Sequence, residues 1–322
     1  MNSDPYPHAV PLPDLDAVVQ ELAQLRRQWR DRHHRIQEPG PRELPSPERV
    51  AQIVDSLRGA LFPMRLGPAD LRQENENRYV TLTLDSALTE LVAQVRLELA
   101  WAARHSARDE GAQTNPDLAE VSAELLVAEF AAGLPEIRRL LDSDVTAAFR
   151  ADPAARSVDE VLLCYPGIQA LINHRIAHRL YRLGLPLIAR LVSERAHGAT
   201  GVDIHPGATI GEEFFIDHGT GVVIGATAII GHRVQLYQAV TLGAKSFPTD
   251  HEGQAIKGLP RHPIIEDDVV IYSGATVLGR VTIGRGTILG GSVWVTEDVP
   301  PYSIVSQARV RSAEQPEERK TA

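Results

Sequence analysis

The 322-residue sequence predicts an α+β protein in which an N-terminal α-helical bundle is followed by a parallel β-helix of hexapeptide repeats with one extruded loop. Aliphatic residues recur every six positions between Ile204 and Val295, and amphipathic helical patterns fill the chain before Gly201. A polar segment rich in Gly and Pro interrupts the six-residue period after Leu242. Self-similarity at this period is the signature of a hexapeptide β-helix.

The repeat falls into two blocks of six-residue units. The first block begins at Ile204 and slips by two residues near Val222 and Val223. Units of the second block begin at Ile265, Ile271, Val277, Ile283, Leu289 and Val295. A sandwich of Val- and Ile-rich strands is the alternative, but sandwich strands alternate with period two. Each unit therefore predicts one short strand and one bend, with its first aliphatic side chain stacked in the core.

The chain before the repeat predicts amphipathic helices that pack into a bundle. The first apolar face comprises Leu15, Val18, Val19, Leu22 and Leu25. Further helices are predicted to start at Ser46-Pro47, to span Leu84–Ala103, to lie within residues 116–150, and to start near Pro166. We expect this bundle to serve packing and self-association rather than catalysis.

These patterns divide the chain into three predicted parts. Residues 1–200 form the α-helical N-terminal and oligomerisation domain, and residues 201–301 form the catalytic β-helix, whose loop spans 243–263. Residues 302–322 form a C-terminal tail, polar at its end and expected to be disordered.

Composition narrows the classes of function and the location. A net charge of −9 disfavours nonspecific nucleic-acid binding. No 18-residue apolar run and no signal-peptide pattern is present, so we expect no membrane association and a cytoplasmic location. The single Cys164 rules out an internal disulfide and fits a reducing compartment.

Three motifs carry the chemistry: Asp203-Ile204-His205-Pro206, Asp217-His218-Gly219-Thr220-Gly221 and Arg261-His262-Pro263. Read alone, Asp203 and His218 could simply pair at a corner of the coil, and the third motif could be an ordinary turn. Together with the hexapeptide units, however, the motifs resemble the serine O-acetyltransferases over residues 152–301, in the longer bacterial branch of that family.

The resemblance implies a left-handed coil and a defined reaction. In the family, acetyl-CoA donates its acetyl group to the hydroxyl of L-serine, giving O-acetyl-L-serine and CoA for cysteine biosynthesis. His218 matches the catalytic histidine, and Asp203 matches the carboxylate that orients its ring. A neutral imidazole, with a pKa of about 6.5, can accept the hydroxyl proton that a serine keeps at neutral pH.

The resemblance also assigns residues to the two substrates. Asp152 and Asp217 match the acids that hold the serine ammonium group, and Arg261 with His262 matches the pair that binds its carboxylate. The small residues Gly243, Ala244, Ser273 and Gly291 match positions along which CoA lies. Lys245 and Lys257, with Arg280 and Arg285, are candidates for the CoA phosphates. No metal is expected.

The family further implies a homotrimer or a dimer of trimers, with the site between neighbouring subunits, and possible inhibition by cysteine at the serine site. Many members end in an isoleucine that binds a sulfhydrylase. This chain ends Lys320-Thr321-Ala322, so we do not expect that complex.

Three alternatives stay open on the residues alone. The first is a hexapeptide acyltransferase that acts on another amine or on a sugar hydroxyl. The second is a zinc lyase resembling the γ-class carbonic anhydrases, for which the chain offers His205, His218, His232, His251 and His262. The third is a scaffold without catalytic activity.

Overall fold

The computed structural model describes residues 14–33, 44–106, 122–246, 249, 251, 253, 256 and 258–307. The chain divides into two compact units, Met1–Glu43 and Leu44–Ala322. In the first unit the structure describes helix α1 (Leu15–Arg32), whose N-cap Asp14 accepts hydrogen bonds from the backbone of Asp16 and Ala17. No residue of α1 is buried within the described chain, and the packing of its apolar face stays a prediction.

The helical part of the second unit confirms the predicted helices with shifted bounds. The Ser46 side chain accepts a hydrogen bond from Arg49 N at 3.3 Å and starts the second helix, as predicted. The helices are α2 (Pro47–Leu61), α3 (Pro63–Leu66), a 3-10 turn (Gln73–Asn75), α4 (Glu76–Ser106), α5 (Ala123–Ala132), α6 (Leu134–Ala151), α7 (Val158–Cys164), α8 (Pro166–Arg182) and α9 (Pro186–Thr200). Several have proline at the first or second position, where its missing N–H costs nothing.

A buried ion pair joins the helices to the β-helix. Arg175 of α8 donates to both carboxylate oxygens of Asp144 on α6 at 2.9 Å, and both side chains are buried. The same guanidinium donates to the carbonyls of Ile210 and Gly211 at 2.7 Å, and Asp144 accepts from Phe214 N at 3.0 Å. This network fixes α6 and α8 against the first coil, and both charged side chains in it are hydrogen-bonded.

The repeat region folds into the predicted parallel β-helix. Its strands are β1 (Asp203–Ile204), β2 (Thr209–Ile210), β3 (Phe215–Ile216), β4 (Val223–Ile224), β5 (Ile229–Ile230), β6 (Gln235–Leu236), β7 (Thr241–Gly243), β8 (Ile264–Ile265), β9 (Val270–Ile271), β10 (Thr276–Leu278), β11 (Thr282–Ile283), β12 (Ile288–Leu289), β13 (Trp294–Val295) and β14 (Ile304–Val305). Strand β14 extends the coil past Pro300-Pro301, where the sequence predicted that it ends.

Three parallel sheets form the sides of a prism. The first sheet has the order β1-β4-β7-β10-β13, the second β11-β8-β5-β2 and the third β14-β12-β9-β6-β3. The first aliphatic residue of each unit faces inward, so Ile204, Ile224, Leu242, Val277 and Val295 stack in register and are buried. Their neighbours Asp203, Val223, Thr241, Thr276 and Trp294 form the outer row of the first sheet.

Two edges of the prism flank the first sheet. The bends that lead from the third sheet to the first, residues 217–222, 237–240, 272–275 and 290–293, are named the His218 edge. The bends that lead from the first sheet to the second, residues 205–208, 225–228, 244–263 and 279–281, are named the His262 edge. Residues in the left-handed region recur along the His218 edge at Gly221, Ala239, Gly274 and Ser292, so a positive φ there is a regular feature of the coil.

Candidate active site

His218 lies in a bend that is two residues longer than the others on its edge. Eight positions separate Ile216 from Ile224, whereas six separate Leu236 from Leu242. Gly221 takes the regular left-handed corner, and His218 (φ 58°) adds a second left-handed residue within the insertion. The His218 side chain is 68% exposed. The two-residue slip in the sequence is therefore the insertion that lifts His218 out of the coil.

Close contacts fix this bend. Gly219 N donates to Asp217 O at 2.6 Å, and Val222 N donates to Gly219 O at 3.0 Å. Gly219 has a φ of 83°, and a Cβ on it would lie 2.8 Å from Cγ2 of Val202. The position therefore requires glycine both for its backbone conformation and for space.

Two carboxylates accompany the His218 ring. Asp217 accepts from His218 N at 2.9 Å, and its Oδ2 lies 3.7 Å from His218 Nε2. Asp152, at the end of α6, accepts from the Tyr165 hydroxyl and from Ala154 N. The Tyr165 hydrogen bond lowers the pKa of Asp152, and the charge of His218 acts in the same direction. Asp152 is therefore ionised at neutral pH and lies within electrostatic range of the imidazole.

Asp203, the predicted orienting residue, is the first residue of β1. Its backbone N donates to Val222 O at 2.9 Å, so it lies beside the end of the His218 bend. Among the described residues, the ring of His218 has its ionic contact with Asp217, and no hydrogen bond joins it to Asp203. Pairing of Asp203 with His218 thus stays a prediction.

His262 lies on the other edge and is buried, with 7% of its surface exposed. Its Nδ1 accepts from Thr227 N at 3.1 Å and lies 2.8 Å from the Thr227 hydroxyl. Burial lowers the pKa of His262 to about 4, and the neighbouring Arg261 contributes to the shift. The ring is therefore neutral at pH 7, and because Nδ1 accepts, Nε2 carries the proton and can donate.

Residues that the sequence analysis did not assign to the site hold His262 in place. A Cβ on Gly225 would lie 1.9 Å from Cδ2 of His262, so the ring occupies the space over this glycine. The Thr227 hydroxyl accepts from the backbone N of Arg261 at 2.9 Å and of His262 at 3.1 Å. The position of Gly225 directly after Ile224 indicated a bend in its hexapeptide unit, but nothing in the sequence connected this glycine with His262.

Arg280 contacts its own edge of the prism, and its role toward the CoA phosphates stays a prediction. Its Nη1 donates to Thr227 O at 2.6 Å and to His262 O at 3.0 Å, so it braces the His262 edge. Arg285, the other arginine proposed for phosphates, pairs with Asp267 at 2.9 Å on the third edge of the prism.

The residues predicted for CoA fall on both edges. Ser273 and Gly291 lie on the His218 edge, where a Cβ on Gly291 would lie 3.3 Å from Ser273 O. Gly243 ends β7, and Ala244 and Lys245 open the long loop on the His262 edge. Lys257 lies outside the described residues.

The histidines considered for a zinc site do not gather in one chain. His205 lies on the His262 edge, His218 on the opposite side of the first sheet, and His232 on the third edge. Burial lowers the pKa of His205 to about 4. Among the described residues, no group of three or more His, Cys, Asp or Glu side chains is placed to hold a metal ion.

A coil of hexapeptide repeats with an exposed histidine beside two carboxylates defines a transferase of the hexapeptide class. The family model Bacterial transferase hexapeptide (six repeats) matches residues 262–297. The chain is 53% identical over 298 residues to "Serine acetyltransferase, plasmid" of Synechococcus elongatus, covering 92% of each chain. It belongs to the serine acetyltransferase family.

Solved structures support the same assignment. Serine acetyltransferase 1 of Entamoeba histolytica, in complex with L-cysteine, superposes with a TM-score of 0.65 at 35% identity, over 82% of this chain and 87% of that one. Serine acetyltransferase of Neisseria gonorrhoeae, in complex with serine, gives a TM-score of 0.51 at 26% identity, over 80% and 96%. The predicted helical region and left-handed parallel β-helix are confirmed. No described helix is both long and apolar enough to cross a membrane.

Proposed function

We propose that this chain is a serine acetyltransferase that moves the acetyl group of acetyl-CoA to the hydroxyl of L-serine, giving O-acetyl-L-serine and CoA for cysteine biosynthesis. The family supports the activity. The observation that carries the mechanism is the division of the site: His218 with Asp152 and Asp217 lies on one edge of the first sheet, and Arg261 with His262 lies on the other.

His218 acts as the base. Its imidazole takes the proton of the serine hydroxyl while the hydroxyl oxygen forms a bond to the thioester carbonyl carbon. The carbon–sulfur bond then breaks, and the CoA thiolate takes the proton back from the imidazolium. Asp217, and Asp203 if the ring turns toward β1, stabilise the imidazolium by charge. Base catalysis of this kind contributes about 10² to 10⁴ in rate.

The charges of the two edges match an amino acid. The carboxylates of Asp152 and Asp217 suit an ammonium group. Arg261 and the Nε2–H of neutral His262 suit a carboxylate, because both donate hydrogen bonds. A sugar carries neither charge, so this arrangement favours serine over a sugar acceptor.

The complete site forms between neighbouring chains. The two edges flank one face of the prism, so a neighbour packed on that face can bring its His262 edge to the first chain's His218 edge. Three chains around a threefold axis give three such sites. Acetyl-CoA then lies between Ser273 and Gly291 of one chain and Gly243, Ala244 and Lys245 of the next, with Lys257 as a further phosphate contact. Residues 201–301 act as the catalytic part and residues 1–200 as the assembly part.

Subunit mixing tests this division. His218→Ala and Arg261→Ala chains, each inactive alone, are co-expressed with different tags, and the mixed assemblies are isolated. Every mixed ring of three has one interface of its three with both native residues, so about a third of wild-type activity should return. Mixed assemblies as inactive as their parents would show that the two residues serve the same chain.

An acceptor panel tests the substrate. Purified protein receives acetyl-CoA with L-serine, other amino acids, amines or sugars, and thiol release is followed. We expect L-serine to be the best acceptor. Faster turnover of a sugar with no reaction of serine would contradict the assignment.

L-Cysteine carries the same ammonium and carboxylate groups, with a thiol in place of the hydroxyl. We propose that it occupies the serine site of this chain and inhibits. Increasing serine should then relieve the inhibition fully. Inhibition that no concentration of serine relieves would place cysteine elsewhere.

A further inference from the structure

Helix α1 carries a continuous apolar stripe on its surface. Leu15, Val18, Leu22 and Leu25 are 67%, 38%, 47% and 53% exposed. They follow one another at intervals of three, four and three residues, which is the a/d spacing of a coiled coil. Trp29 occupies the next a position. The stripe is therefore a seam of two full heptads on a single helix.

Both ends of the helix carry stabilising side chains. Asp14 caps its N-terminus, and Arg30 and Arg32 lie in the last turn, where they complement the helix dipole. Most of the stability of a helix in a protein comes from the packing of its amphipathic face. The exposed seam therefore calls for another helix of matching pattern.

The charges beside the seam identify that helix as α1 of another copy. Glu21 occupies a g position, and Arg26 occupies the e position five residues later. In a parallel pair, Glu21 of each helix faces Arg26 of the other, which is the usual interhelical ion pair of coiled coils. Both side chains are exposed, and neither has an ion pair within the described residues. The seam is thus complementary to itself.

We propose that α1 is a self-association element, in which the α1 helices of different copies of this chain pack in parallel along Leu15, Val18, Leu22 and Leu25. The a positions hold Leu15, Leu22 and Trp29 and the d positions hold Val18 and Leu25, so the seam lacks the β-branched a residues that favour two strands. Parallel helices also satisfy cyclic symmetry, because all copies are related by rotation.

Cysteine cross-linking in the full chain tests the pairing. Leu15→Cys and Ala17→Cys are made in a Cys164→Ser background, which has no other cysteine. Leu15 lies on the seam and Ala17 two residues away on the outer side. Since a disulfide needs Cβ atoms within about 4 Å, Leu15→Cys should form linked chains at least about ten times faster than Ala17→Cys. Equal rates, or no linked chains from Leu15→Cys, would overturn the proposal, as would an α1 that packs on its own chain or antiparallel.

A charge exchange tests the orientation separately. In the Leu15→Cys background, Glu21→Arg or Arg26→Glu alone should slow cross-linking several-fold, because like charges then face each other. The double variant should restore the original rate. Failure of the double variant to recover would mean that these two residues do not face each other across the seam.

Discussion

The exposed ring of His218 depends on two inserted residues that break the period of the coil. All other bends of its edge keep six residues per unit and present ordinary corners. The ring is fixed through its backbone, by Gly219 and by the Asp217 side chain, while its own atoms face solvent. The His218 side chain can therefore be replaced without removing the backbone contacts that hold the bend.

Replacing His218 by Ala should abolish most acetyl transfer without unfolding the protein. Loss of the base should lower kcat/KM by about 10² to 10⁴, and Asp203→Ala should have a smaller effect in the same direction. Thiol release and thermal unfolding are measured in parallel. His197→Ala, on the exposed surface of α9, is the control and should behave as wild type. Unimpaired turnover in the His218 variant would refute its role.

Gly225→Ala should damage serine binding selectively. The added Cβ would overlap the His262 ring, so the ring must move. Its Nε2–H group would then no longer point at the serine carboxylate. We expect the KM for serine to rise about tenfold, a cost of about 1.4 kcal/mol, with the KM for acetyl-CoA little changed. Gly198→Ala is the matched control, because nothing lies within 4 Å of its Cβ position. An unchanged KM for serine would show that His262 does not bind this substrate.

At the scale of elements, a single carboxylate caps one helix from another. Glu98 of α4 is buried, and it accepts from the backbone N of Leu187 at 2.7 Å and of Ile188 at 2.9 Å, in the first turn of α9. Burial raises the pKa of Glu98. The carboxylate thus satisfies N–H groups that the helix itself cannot bond.

Glu98→Ala should therefore destabilise the protein. Two buried N–H groups lose their acceptor, and we expect the free energy of unfolding to fall by about 1 to 3 kcal/mol. Urea denaturation followed by circular dichroism measures this loss. Glu90→Ala, at an exposed position of the same helix, should change it by less than about 0.5 kcal/mol. Equal effects of the two changes would mean that the cap does not contribute.

The sequence was sufficient to predict the helices and strands, but it did not predict which distant residues contact one another. Each coil repeats the same six positions, so the period gave the strands, and the motifs at 203, 217–218 and 261–262 are contiguous enough to be read directly. The support of His262 by Gly225 and Thr227 was not readable, because those residues are more than thirty positions away and meet only when coils stack. The sequence of α1 predicts a packed helix but not its partner, because the spacing of apolar residues is the same whether the helix packs on its own chain or on another copy.

At the scale of the molecule, the first sheet is the face on which the proposed assembly depends. Trp294 in its outer row is 71% exposed in the single chain. If neighbours pack on this face, Trp294→Lys should raise the dissociation constant of the assembly by about tenfold or more. Sedimentation over a range of concentrations measures it. Tyr302→Lys, equally exposed at 75% but on a bend between the second and third sheets, should leave assembly intact. The opposite result would place the interface on another side.

The separation of His218 from His262 across one side of the prism has a consequence for how the enzyme responds to dilution. If each site forms between two chains, as proposed, a closed ring has as many catalytic centres as chains, an open pair has one, and a single chain has none. Specific activity should consequently decline as the protein is diluted, well before any chain loses its fold, and should recover on concentrating.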